Sequence, residues 1–205
     1  IFKQLLGAGA RPCFANAFPQ RFFDYMNRHR TRMTVTTLSC TMSGVPLLNA
    51  QDLREGNGIS ADITSAGWRE LGYPDVPMIE PAEAGRRLVE LTSKHDFVLF
   101  EYWKTDHAGH SASFAEAVEV LERFDGMLAA IIETLDTRST MLLVTSDHGN
   151  VEDMSVKTHT RNPVPAILFG RGHDSFAERL HPTPSDGSDL TRVMPLLMEH
   201  ITERQ

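Results

Sequence analysis

The sequence predicts an α/β domain: a mainly parallel central sheet covered on both faces to give three layers, with a small inserted cap or lobe. Three observations lead there. From Glu80 onward, apolar runs of strand length alternate with amphipathic helical segments through polar loops. Two of those runs, residues 97–103 and 141–146, are dense in apolar and β-forming residues, as expected of strands buried between helix layers. Asp and His residues follow both within a few positions, at the carboxyl edge where open α/β sheets hold their ligands.

The bulk properties agree. The chain has 205 residues, 41% of them hydrophobic, enough for a single domain over residues 1–205, with a loop-rich cap or lobe within residues 19–79. A formal charge of −7 argues against nucleic acid as the main partner. Cys13 and Cys40 make no disulfide framework and fit a reducing, cytoplasmic setting. No apolar run is long enough to span a bilayer, and no signal-peptide pattern is present, so no membrane association is expected.

In order, residues 1–6 read as the middle of an amphipathic helix, closed at Gly7-Ala8-Gly9. Residues 12–18 read as a core strand. Pro19 opens a helix to about residue 30, with Phe22, Phe23 and Met26 on one side. Its basic end has two readings. The cations complement the helix dipole, or Arg28, Arg30 and Arg32 form an anion patch for a phosphorylated substrate. Residues 34–40, rich in β-branched side chains, read as a strand. Residues 44–77 are Gly-rich with short apolar groups, and form the lobe. Asp52, Glu55 and Asp62 within it read as solvated charges or helix caps.

Pro81 starts a helix striped by Ala84, Leu88 and Leu91. A strand over 97–103 and a polar loop over 104–110 follow, and Ser111 or Ser113 caps the next helix. That helix has the clearest apolar stripe, including Ala117, Leu121, Phe124, Leu128 and Ile131. The strand at 141–146 leads into a polar loop over 151–157, then through Pro163 and Pro165 to a strand at 166–169. Asp189 or Ser188 caps a last helix to about residue 200, with Pro195 as a point of kinking.

The chemistry centres on Asp147-His148-Gly149-Asn150. Carboxylate and imidazole suit a divalent ion such as zinc or manganese, and the glycine lets the backbone turn beneath them. Asp106 and His110 fall within one turn of each other if their loop curls helically. His159 lies in a segment that must return to the sheet. Singly, each residue reads as an ordinary cap, surface or core residue. Together, three segments converge on one sheet edge, where two metal ions can clamp a phosphoryl group between attacking and leaving oxygens.

Asp106-His-Ala-Gly-His110, Ser146-Asp-His-Gly-Asn150 and His159-Thr-Arg-Asn-Pro-Val-Pro165 together resemble the metal-binding segments of the alkaline phosphatase superfamily. The nearest branch is cofactor-independent phosphoglycerate mutase, then phosphopentomutase, and the resemblance covers about residues 80–200. It implies an alkaline-phosphatase-like fold and phosphoryl transfer on a small phosphorylated substrate with two divalent ions, manganese or zinc. By that resemblance Asp106, His110 and His159 hold one metal, Asp147 and His148 hold the second, Asn150 shapes the turn and Asp125 is structural. The family also uses a Ser or Thr nucleophile and an early Asp ligand. Ser39, Ser43 and Ser60 read as ordinary turn or strand hydroxyls, so the nucleophile is expected upstream of Ile1, and residues 1–205 alone are expected to be inactive. Residues 19–77 are too few for the inserted domain of such mutases and lack its Arg-x-Asp-Arg-like element. Other readings therefore stand: a phosphatase, phosphodiesterase, phosphonate or sulfate-ester hydrolase of the same superfamily, or a non-catalytic metal-binding module.

Overall fold

The structure, a computed structural model, describes residues 1–29, 33–111, 113–181 and 189–203. Helix α1 (Phe2–Gly7) sinks Phe2 and Leu5 completely and leads into strand β1 (Pro12–Phe14). Strand β1 pairs in parallel with β4 (Phe97–Leu99), Cys13 opposite Val98. The two long strands expected at 12–18 and 97–103 are shorter than their apolar runs. Asn16 is the reason. Its carboxamide donates to the Glu101 carbonyl and accepts the Glu101 amide, both at 2.8 Å, so a side chain takes the place of the next ladder rung. Beyond it, β2 (Ala17–Phe18) turns to a different parallel partner, β3 (Leu48–Asn49).

Pro19 precedes α2 (Gln20–Arg28), as its fixed φ predicts. The strand expected at 34–40 is instead helix α3 (Val35–Ser43). Thr34 caps it by accepting the Thr37 amide at 3.4 Å, and Gly44, at φ +76°, closes it. Within it, the Thr41 hydroxyl bonds back to the Thr37 carbonyl at 2.8 Å. Thr and Val favour strands because they fit a half-buried pleated surface. Here the buried positions, Thr37 and Cys40, are three apart, which is a helical spacing, while Val35 remains 86% exposed.

Residues 44–77 hold more order than their glycines suggest. Helix α4 (Ala50–Glu55) starts with a reciprocal capping box between Asn49 and Asp52. The Asp62 carboxylate gathers the amides of Ser65 and Gly67, each at 2.9 Å, and the buried Trp68 indole donates to Ser60 Oγ at 2.9 Å. Trp68 packs with Ala17, Leu53 and Val76 in a local apolar cluster.

Helix α5 (Pro81–Leu91) lies along α7 (Phe114–Thr134), capped by Ser113. Gly85 is what lets them meet: a Cβ there would strike the Met127 carbonyl and lie 3.0 Å from Ala130. Their shared face, with Ala84, Leu88, Met127 and Ile131, covers Cys13, Ile59 and Ile63 and forms the largest apolar cluster. Between β4 and α7 the expected polar loop is helix α6 (Lys104–Ser111). Asp106 in its first turn and His110 in its last both match the dipole when charged, and Thr105 bonds back to the Tyr102 carbonyl at 3.2 Å. Asp125 is exposed on α7.

Strand β5 (Met141–Thr145) pairs with β6 (Ala166–Gly170), and the pairing is antiparallel. Among the described residues the fold is therefore α/β, with two parallel strand pairs and one antiparallel pair. Helix α8 (His173–Leu180), which the apolar pattern did not reveal, packs Phe176 and Leu180 against Leu196 of α9 (Val193–Thr202) and under Met141 and Leu168. Asp189 caps a short 3₁₀ turn before α9, and Pro195 sits in the first turn of that helix, where a missing amide costs little. Ser188 lies outside the described residues.

Candidate metal centre

Three chain segments meet beyond the carboxyl ends of β4 and β5. The first is α6, where helical geometry stacks residues four apart: Asp106 Oδ1 and His110 Nε2 lie 3.4 Å from each other. The second is the turn after β5, held by Ser146 Oγ donating to the His148 carbonyl at 2.8 Å. The third is the return to β6, pinned where the Thr160 amide donates to the Gly149 carbonyl at 2.9 Å. That contact brings His159 over the site. Its ring stacks on His148 with centroids 3.6 Å apart, and its Nε2 lies 3.3 Å from Asp106 Oδ1 and 3.2 Å from His110 Nε2.

The proton positions follow from the partners. His110 Nδ1 sits 2.7 Å from the Lys157 carbonyl, which only accepts, so Nδ1 carries the proton. In the neutral ring Nε2 then offers a lone pair toward Asp106 and His159. Three donor atoms thus face one another with edges of 3.2, 3.3 and 3.4 Å. Ligands about 2.1 Å from a tetrahedrally bound ion stand about 3.4 Å apart, so the triangle has the size of one face of a metal site. His148 extends the group: Asp106, His148 and His159 each offer a ligand atom within 4.8 Å of the others. His148 Nε2 is 3.6 Å from Asp147 Oδ2, and its Nδ1 is shielded from solvent with no hydrogen-bond partner. The donor set of imidazoles and carboxylates fits a divalent ion.

The five residues expected to ligate metal all lie at one edge. His148 lies against Asp106 and His159, while the Asp147 side chain is 85% exposed. Arg28 ends α2 and is exposed, and Arg30 and Arg32 lie outside the described residues. Ser39 and Ser43 belong to α3, and Ser60 is engaged by Trp68 and Asp62.

Asn150 does more than shape the turn: it is 5% exposed and donates to both the Asp106 carbonyl, at 3.2 Å, and the Asp106 carboxylate. Two further neighbours escape the sequence reading. Glu152 ties the Asn150 turn to Thr160. Glu101, two residues after β4, accepts from the Thr36 hydroxyl. Burial pushes its carboxyl up from the ordinary value, the Thr36 hydroxyl holds it back, and the charge of Asp147 adds to the rise. Only its place after a strand could have singled Glu101 out.

A family model described as the Metalloenzyme superfamily matches residues 77–203, which contain the whole histidine and aspartate cluster. The chain is 37% identical over 120 residues to the 2,3-bisphosphoglycerate-independent phosphoglycerate mutase of Pyrococcus abyssi, covering 56% of this chain and 29% of that protein. It is 32% identical over 133 residues to the protein of the same name from Thermomicrobium roseum, covering 62% and 25%. The chain thus spans less than a third of the length of these relatives. Among solved structures, the PH0037 protein from Pyrococcus horikoshii superposes with a TM-score of 0.59 at 16% identity, over 98% of this chain and 51% of that one. That likeness is one of fold.

Proposed function

The chain belongs to the Metalloenzyme superfamily, and on that premise we propose that it carries the metal-binding core of a phosphoryl-transfer enzyme, a phosphomutase or phosphatase acting on a small phosphorylated substrate. The observation that carries this reading is the triangle of Asp106 Oδ1, His110 Nε2 and His159 Nε2, whose edges match one face of a tetrahedral site. These three residues would hold one manganese or zinc ion. Asp147 and His148 would hold a second, in a three-layer, alkaline-phosphatase-like setting. Bound there, divalent ions supply Lewis acidity toward a phosphoryl group.

Lys157 fixes the His110 tautomer through its carbonyl, so the imidazole presents a lone pair rather than a proton. Asn150 holds the Asp106 carboxylate in place through its amide N–H groups. Arg28, with Arg30 and Arg32, is the candidate for gripping the anionic end of a substrate. The hydroxyl that accepts the phosphoryl group is left to a Ser or Thr of the intact protein.

The test uses the full-length protein with manganese or zinc. Interconversion of 2- and 3-phosphoglycerate that disappears in Asp106→Ala supports the mutase form. Hydrolysis of phosphate monoesters without interconversion selects the phosphatase form. Failure to bind either ion at millimolar supply would overturn the metal reading altogether.

A further inference from the structure

The loop over 151–157 looks mobile from its composition, and His159, which follows it, is half-exposed. Yet His159 must be held where Asp106 and His110 can share an ion with it, and these segments are separated by about fifty residues of chain. One side chain joins the two ends of that loop. Glu152 Oε2 accepts the Asn150 amide at 2.6 Å, on the turn that follows His148. Its other oxygen accepts the Thr160 hydroxyl and, at 3.0 Å, the Asn162 carboxamide, on the strand-like return beside His159. The closeness of these groups leaves no room between them: a Cβ on Gly149 would collide with Thr160 Oγ1 and lie 2.5 Å from Glu152 Oε1.

We propose that Glu152 is a positioning residue that clamps the turn after β5 to the segment bearing His159, and so preorganises the metal site without itself touching the metal. The proposal rests on the metal reading above. The clamp bonds to Asn150 on one side, and Asn150 in turn holds Asp106. One carboxylate therefore connects all three ligand-bearing segments. The acceptors and donors are matched. Two backbone or side-chain N–H groups and one hydroxyl converge on a group that, when ionised, only accepts. The same bonds, the Thr160 hydroxyl foremost, hold the Glu152 carboxyl down at about 2, so the clamp is ionised at neutral pH.

The experiment titrates the metal-free full-length protein with zinc alone by calorimetry, and with cobalt alone while recording its visible spectrum. Outer partners of metal ligands typically contribute on the order of 10–100-fold in affinity. Glu152→Ala should weaken zinc by about that factor and alter the cobalt bands, because His159 is no longer delivered in one orientation. Glu152→Gln should recover part of the loss, since its carbonyl oxygen still accepts from Thr160 while its amino group now faces the Asn150 amide. Gly149→Ala, which forces the same groups apart, should move both readouts in the direction of Glu152→Ala. Wild-type zinc affinity together with an unchanged cobalt spectrum in Glu152→Ala would overturn the positioning role. Wild-type affinity in Asp106→Ala would instead sink the metal reading, so the two failures are told apart. Where Glu152→Ala does not fold, Thr160→Val decides: it removes one donor and keeps the shape, and undiminished zinc affinity in it overturns the clamp.

Discussion

The contact between α5 and α7 and the edge that carries the histidines are built on opposite principles. At the first, Gly85 lets two helices approach until Met127 and Ile131 lie against Ala84 and Leu88, with every one of these groups buried. Close packing holds it, and each side chain contributes by excluding water. At the second, Asp106, His110 and His159 gather a carboxylate and two imidazoles while remaining roughly half-exposed. Polar groups that stay in contact with water contribute little by burial. The difference teaches where each region's stability comes from: the helix pair holds the fold, and the edge uses the fold's rigidity to keep the three polar groups together.

The largest effect expected separates the two regions outright. Asp106→Ala in the intact protein should abolish turnover and lower affinity for manganese or zinc by at least about 100-fold. The melting temperature of the metal-free protein should change little, because the lost carboxylate is partly exposed. Full turnover in His148→Ala would sharpen the comparison from the other side, by removing this residue and the two-metal arrangement from the function.

The converse variant is Met127→Ala. Deleting a buried Met costs about 2–5 kcal/mol through lost transfer energy and an unfilled cavity. Denaturant unfolding should register that loss, while metal affinity of the folded fraction stays at the wild-type value. A parallel fall in affinity would break the separation between core and site.

A smaller effect concerns acid. The Glu152 carboxyl is held at about 2 against an ordinary 4.5, chiefly by the Thr160 hydroxyl. A lowered folded-state value means its stabilisation is complete above about pH 4.5 and is lost as pH falls toward 2. The difference in melting temperature between wild type and Glu152→Gln should therefore shrink across that window. A difference that stays constant down to pH 2 would show that the clamp's ionisation does not matter to the fold.

The smallest effect lies within the apolar region. Burial pushes the Cys13 thiol up to about 11 and the Cys40 thiol up to about 12. Neither should react with a thiol reagent at pH 8 in the native protein, and both should react once it is unfolded. Rapid native labelling of either would show that this part of the core opens more readily than its packing implies.

The sequence by itself determined the helices with long apolar stripes, because a 3.6-residue period survives whatever the helix packs against. Residues 81–91 and 114–134 are helical as their stripes predict. It also singled out five residues that the fold brings to one edge, since carboxylates and imidazoles placed after strands are rare enough to be informative in combination. The tertiary structure decided the rest. Residues 35–43 became a helix because the surface available to them buries positions three apart, overriding the β preference of Thr and Val. The strands at 12–18 and 97–103 were cut short because Asn16 substitutes for backbone, a choice no local pattern encodes. The partnering of His148 with His159, and the hydrogen bonds of Asn150, Glu152 and Glu101, depend on contacts between segments apart in sequence. Hydrogen bonds of that kind are set by where the backbone brings two groups, and a single chain read residue by residue holds no record of that distance.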